Sequence, residues 1–113
     1  MSWVIRTAAA FVLGIALLPA AAQTAGDAAV GRGKAFTCMG CHGAAGYRNA
    51  YPGYPVPKLG GQHADYIAAA LRAYRSGERT HPTMRAHAEG LSDQDIADIA
   101  DYFAGLRREE SGQ

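Results

Sequence analysis

With 113 residues, nearly half of them hydrophobic, the chain is long enough for one small domain. Its 11 lysines and arginines nearly cancel its 10 acids, so the composition encodes neither a basic nucleic-acid-binding face nor an acidic tail.

The N-terminal segment reads as an export signal. Arg6 supplies positive charge, Ala8 to Leu18 is an apolar run, and Pro19 ends it. Ala20-Ala21-Ala22 then places small residues at the −3 and −1 positions, predicting residues 1–22 as a cleaved secretion signal and 23–113 as the mature domain. The alternative, an uncleaved anchor, meets an apolar run short of the ~20 residues that span a bilayer. Cleavage before Gln23 removes Arg6 and the only tryptophan, Trp3, and leaves basic and acidic side chains in balance.

Asp27 is a suitable N-cap for a helix carrying Ala28, Ala29, Gly31, Ala35 and Phe36 towards the cysteines. Gly31 and Ala35 share a face with almost no side-chain bulk, which predicts close approach of another helix at Gly31.

The helix runs into Cys38-Met39-Gly40-Cys41-His42, which holds both cysteines of the chain. C-x-x-C followed at once by histidine is the pattern of c-type haem attachment. Two thiols at this separation can each add to one vinyl group of a porphyrin, and the adjacent imidazole can reach the iron. A thioredoxin-like couple needs a preceding strand in a βαβ unit, whereas the preceding segment is helical. A zinc site needs further ligands at regular spacing, which His63, His81 and His87 do not provide. A disulfide across two residues closes too small a loop to stabilise much.

From Gly43 to Gly61 the composition turns to Gly, Pro and Tyr, including Gly46, Tyr47, Tyr51, Pro52, Gly53, Tyr54, Pro55 and Pro57, which predicts a loop packed by aromatics. A second helix is expected from about His63 to Ser76, with Tyr66, Ile67, Ala70, Leu71 and Tyr74 on one stripe and Gly77 as its stop. Glu78 to Gly90 reads as irregular or briefly helical, with Pro82 as a breaker. The last helix is the clearest. Ser92 caps it with Asp95 at the capping-box position, and Ile96, Ile99, Ala100, Phe103 and Leu106 form its apolar face. Asp93, Asp95, Asp98 and Asp101 are expected to face water, and Arg107 and Arg108 suit the negative end of the dipole. No segment shows sustained strand alternation, so the chain reads as all-α.

His42 can give the iron one axial ligand. For the other, Met39 lies inside the attachment loop and Met1 in the leader, which leaves Met84. A neutral, soft thioether favours ferrous iron and raises the potential. Met84 as an ordinary core residue, or His81 or His87 as ligand, are the competing readings. His63 and His87 read as solvated.

Taken in order, Gly31 to Phe36, Cys38-x-x-Cys41-His42-Gly43, Pro57-Lys58-Leu59-x-Gly61-Gln62, Tyr66, Ser76-Gly77-x-Arg79, Met84 and Leu91-Ser92-Asp93-x-Asp95-Ile96 resemble a class I c-type cytochrome. The resemblance is to the small bacterial periplasmic monohaem kind related to one lobe of the dihaem cytochromes, and it covers nearly all of the mature chain. It implies a cytochrome c fold, three main helices and loops wrapped around one covalently attached haem c. It also implies Cys38 and Cys41 as attachment points, His42 and Met84 as axial ligands, the Pro57 carbonyl as acceptor from His42, and Gln62 at the haem edge near a propionate. The N-terminal helix would cross the C-terminal one at Gly31, facing the Tyr102–Phe103 region. Arg79 reads either as a propionate partner or as solvated.

With both axial positions filled, the iron has no open site for substrate. The expectation is therefore a periplasmic one-electron carrier, a monomer and not an enzyme. Its partners would be redox proteins such as a quinol-oxidising complex and a terminal oxidase or reductase. The alternatives are a cytochrome subunit of a periplasmic dehydrogenase, or a haem-based ligand-binding or peroxidase-like protein if Met84 is not a ligand.

Overall fold

A computed structural model describes residues 24–44, 46–50 and 53–110. The expected leader over Met1 to Ala22, the cleavage point at Gln23, and Tyr51 and Pro52 of the loop lie outside the described residues, as do the side chains of Arg107 and Arg108. Five helices follow in order: α1 Ala28–Lys34, α2 Phe36–His42, α3 Ala64–Ser76, α4 Pro82–Ala88 and α5 Asp93–Glu110. Among the described residues the strand-like pairing is one isolated bridge, Arg48 to Pro55, so the fold is all-α. No described helix is long and apolar enough to cross a membrane.

Asp27 caps α1 as expected, its carboxylate accepting from the Ala29 and Val30 amides at 2.8 and 3.2 Å. The single helix expected from Asp27 into the cysteine motif is interrupted at Ala35, whose ψ is 0°. The ladder nevertheless runs through the interruption: the Ala35 amide donates to Gly31 at 2.8 Å and the Met39 amide to Ala35 at 3.0 Å. Helix α2 therefore keeps the direction set by α1, and α1 is fixed by α5.

That fixation is steric. A Cβ built on Gly31 would stand 1.9 Å from the Asp98 carbonyl oxygen and 3.0 Å from the Tyr102 Cβ, so only glycine permits this crossing. The close approach also corrects one sequence expectation. Asp98 does not face water: it is 2% exposed, covered by α1. Burying a carboxylate requires partners, and Asp98 has three: the Asp27 amide at 2.8 Å, Gln94 Nε2 at 2.8 Å and Lys34 Nζ at 2.6 Å. Lys34 also reaches Asp95 at 2.6 Å.

Helix α3 buries Ile67, Ala68 and Leu71 against Ile96, Ile99, Ala100 and Phe103 of α5. It ends at Gly77, φ 84°, in a left-handed cap that only glycine adopts without strain. Arg75 then ties α3 to the start of α5, donating to the Leu91 carbonyl at 2.9 Å and to Asp93 at 2.6 Å. Pro82, expected as a breaker, instead occupies the first turn of α4, where its missing N–H is no loss. At the head of α5 the capping box is present. Ser92 Oγ accepts from the Asp95 amide at 3.1 Å, and Asp95 accepts from the Ser92 amide at 2.9 Å.

The core is thin. Alanine recurs through it (Ala35, Ala68, Ala88, Ala100), and Phe103 is its largest fully buried side chain.

Candidate functional site

The thin core opens into a cleft of about 290 Å³, close to the ~300 Å³ lower bound of ordinary cofactor pockets. Helix α2 contributes Cys38, Cys41 and His42, the loop contributes Tyr54 and Pro57, and α4 contributes Thr83, Met84 and His87. Ile67, Leu71, Ile99 and Phe103 supply apolar walls continuous with the core. A second hollow of about 40 Å³, bounded by Asp65, Arg72 and Asp101, shares no residue with the cleft.

Cys38 and Cys41 are not joined to each other by a disulfide. Burial pushes the Cys38 thiol above its usual pKa. A redox-active C-x-x-C needs the opposite, a lowered thiol in an electropositive setting. No strand precedes the motif among the described residues, so the thioredoxin reading fails on both counts. Among the described residues no group of three or more His, Cys, Asp or Glu side chains is placed to hold a metal.

His42 is half-buried, and its Nδ1 lies 2.7 Å from the Pro57 carbonyl oxygen. A carbonyl only accepts, so Nδ1 donates and carries the proton. In the neutral ring Nε2 then keeps its lone pair, the state a metal ligand needs. The loop that presents Pro57 is braced by its own backbone. The Val56 amide donates to Tyr47 at 2.9 Å, the Asn49 amide to Tyr54 at 3.1 Å, and the Gly61 amide to Phe103 of α5 at 3.0 Å.

Met84 is half-buried against the core and lines the cleft, three residues into α4. His81, considered from the sequence as a rival ligand, also lines the cleft, and its Nδ1 accepts the Met84 amide at 3.2 Å. Its ring stands edge-on to Tyr54 at 5.2 Å and to Tyr74 at 6.2 Å. His87 is exposed, as expected, yet also lines the cleft, whereas exposed His63 does not. Gln62 lines the cleft and donates to the Lys58 carbonyl at 3.3 Å, and Arg79 lines it with its guanidinium 4.7 Å from the centre of the Tyr74 ring.

Sequence reasoning missed Tyr54 as part of the cleft and His81 as a helix cap. The second had a signal. His81 directly precedes Pro82, and the residue before an N1 proline is the cap position, but histidine is not among the usual capping residues.

The residues suit a porphyrin. Two cysteine sulfurs and an imidazole whose Nδ1 is engaged stand on one helix, a thioether stands on another, and apolar walls lie between them. A cytochrome c family model matches residues 28–107. The chain belongs to the cytochrome c family. It is 48% identical over 83 residues to cytochrome c-554(548) of Halomonas halodenitrificans, covering 71% of this chain and 96% of that protein. It is 33% identical over 92 residues to the cytochrome subunit of sulfide dehydrogenase of Chlorobaculum tepidum, covering 80% of each. The reduced cytochrome c4 crystal structure from Pseudomonas stutzeri superposes with a TM-score of 0.55 at 36% identity, over 74% of this chain and 52% of that one. The chain therefore spans about half of that cytochrome c4 and 41% of the cytochrome c4 of Pseudomonas aeruginosa. Cytochromes c are electron-transfer proteins with covalently attached haem c, and Cys38, Cys41 and His42 match the attachment motif.

Proposed function

We propose that this cytochrome c is an exported one-electron carrier whose haem c is held by Cys38 and Cys41 and ligated by His42 and Met84. The observation that carries the reading is a single cleft lined by the C-x-x-C-H helix and by Met84. When bound, haem c supplies a one-electron couple, with a potential that a neutral thioether ligand raises.

The roles of this chain's residues follow from their surroundings. Cys38 and Cys41 would each add sulfur to one carbon of a vinyl group and hydrogen to the other. His42, oriented by the Pro57 carbonyl, would offer Nε2 to the iron, and Met84 would offer its sulfur. Gln62 and Arg79, exposed on the cleft, would meet propionates. With His42 and Met84 both committed to the iron, Ile67, Leu71 and Phe103 would exclude water rather than bind a substrate. Donor and acceptor would be redox proteins, such as a quinol-oxidising complex and a terminal oxidase or reductase. The periplasmic location rests on the Arg6, Ala8–Leu18 and Ala20–Ala22 signal pattern.

A second reading, a cytochrome subunit of a periplasmic dehydrogenase, is favoured by the similarity to the Chlorobaculum tepidum protein. Purification of the untagged protein from its native periplasm separates the two. A free carrier elutes alone, whereas a subunit elutes with a larger cofactor-bearing chain. Oxidised and reduced absorption spectra of the matured protein test the haem reading itself. A six-coordinate c-type spectrum with a ferric thioether–iron charge-transfer band is expected. An open-site spectrum that responds to carbon monoxide would transfer the protein to the ligand-binding class.

A further inference from the structure

We propose that His81, by capping α4 through its Nδ1, is a positioning residue that holds Met84 at the cleft, an inference that rests on Met84 being an iron ligand.

Helix α4 has seven residues, too few to be stable in isolation. Its first amides have no partner within the helix. Pro82 lacks one, and the Met84 amide is answered by His81 Nδ1 at 3.2 Å. The next amide, Arg85, donates to the His81 carbonyl at 2.9 Å. His81 thus anchors the residue that carries the thioether and the residue after it. Such a cap works only if His81 Nδ1 is the accepting nitrogen, with the ring proton on Nε2.

The ring itself is held from two directions. Tyr54 approaches at 5.2 Å with its plane 88° away, and Tyr74 at 6.2 Å and 76°. Tyr74 belongs to α3 and lies beneath the Arg79 guanidinium. Tyr54 belongs to the loop that, three residues on, presents the Pro57 carbonyl to His42. Among the described residues α2 and α4 are not neighbours: α4 packs on α3 and α2 follows α1, which packs on α5, so this loop adds a second route that relates Met84 to His42. On one side the link is the Pro57 carbonyl; on the other it is Tyr54 through His81.

The test uses the ferric holoprotein with imidazole as an external ligand that must displace Met84. Wild type, His81→Asn, His81→Ala and His81→Gln are compared by loss of the thioether–iron charge-transfer band during titration. The unfolding midpoint is followed separately by far-UV circular dichroism. Asparagine is a strong N-cap, whereas alanine and glutamine are not. If the cap holds the sulfur in place, losing it raises the apparent imidazole affinity in the Ala and Gln variants by about 2- to 30-fold, the factor that an ordinary cap represents. Asn should stay within about twofold of wild type by the same logic. The proposal is overturned if Ala and Gln bind imidazole as wild type does, even where their unfolding midpoints fall. It is also overturned if Asn raises the affinity as much as Ala, since ring packing rather than capping would then be responsible. Should the Ala variant not mature, Gln carries the same expectation alone. Absence of the charge-transfer band from wild type would instead defeat the Met84 reading.

Discussion

His42 Nδ1 and the Pro57 carbonyl oxygen stand 2.7 Å apart across fifteen residues of chain. The bond fixes which imidazole nitrogen is free and which way the ring faces, and it comes from a backbone group that no side-chain substitution removes. The cysteines beside His42 then set how the haem is retained.

Covalent retention is the first expected outcome. Acidified organic solvent should leave the haem on the wild-type protein, because thioether bonds survive it. Replacing Cys38 and Cys41 together with alanine should let the haem be extracted, and either single variant should retain it through the remaining sulfur. Free extraction from the wild-type protein would contradict the attachment outright.

Met84→Ala should lower the reduction potential by roughly a hundred millivolts, a modest part of the ~0.8 V that haem axial ligands span. The same change should open the ferrous iron to carbon monoxide. His87 also lines the cleft, so Met84→Ala combined with His87→Ala is the cleaner comparison. If both variants keep the wild-type potential and the ferric charge-transfer band, Met84 is not the ligand.

Much of this site was legible in the sequence because its chemistry is local. Cys38, Cys41 and His42 are adjacent, and Met84, the candidate singled out among three methionines, lines the same cleft. The cap residues Asp27 and Ser92 were legible for the same reason, since a cap is read within three or four positions. What was not legible depended on tertiary packing. Asp98 sits on α5 in a row of acids, and the close approach of α1 at Gly31, where a Cβ would meet the Asp98 carbonyl, distinguishes it from exposed Asp93. The role of His81 depends on Tyr54 and Tyr74, which reach it from other segments. Pro82 reads equally as a stop or as a first helical residue until the partner of the Met84 amide is known.

Gly31→Ala should destabilise the holoprotein by about 1–3 kcal/mol or more, the usual range for overpacking. The added Cβ meets backbone, the Asp98 carbonyl, and not a side chain that could swing aside. Gly33→Ala is the matched control, since nothing lies within 4 Å of its Cβ position. There the gain in helix propensity should leave stability unchanged or slightly higher. Urea unfolding of the two variants checks this, and equal midpoints would remove the steric account of the α1–α5 crossing.

The Lys34 cluster should give the protein a distinct acid limb. The Lys34 ammonium, first by hydrogen bonding, holds the carboxyls of Asp95 and Asp98 below their usual value of 3.8. The Ser92 groups add to this at Asp95, and the Asp27 amide and Gln94 add to it at Asp98. A carboxyl whose folded pKa is depressed contributes stability that is fully present above its unfolded pKa and is lost as pH falls through the folded one. The loss should therefore begin near pH 4 and continue downward. Lys34 itself is raised above 10.5 by Asp95 and then Asp98, so its contribution is present at neutral pH and disappears only on the alkaline side of that value. Lys34→Met should lower stability at neutral pH, where it leaves Asp98 buried without its cation. It should also flatten the fall in the unfolding midpoint between about pH 5 and about pH 2, because less depression of the two carboxyls remains to be undone. Protonation of haem ligands at low pH affects both proteins alike, so the difference between the two curves is the quantity to measure. Parallel acid limbs would show that Lys34 does not hold these carboxyls down, and that the buried Asp98 depends on the Asp27 amide and Gln94 alone.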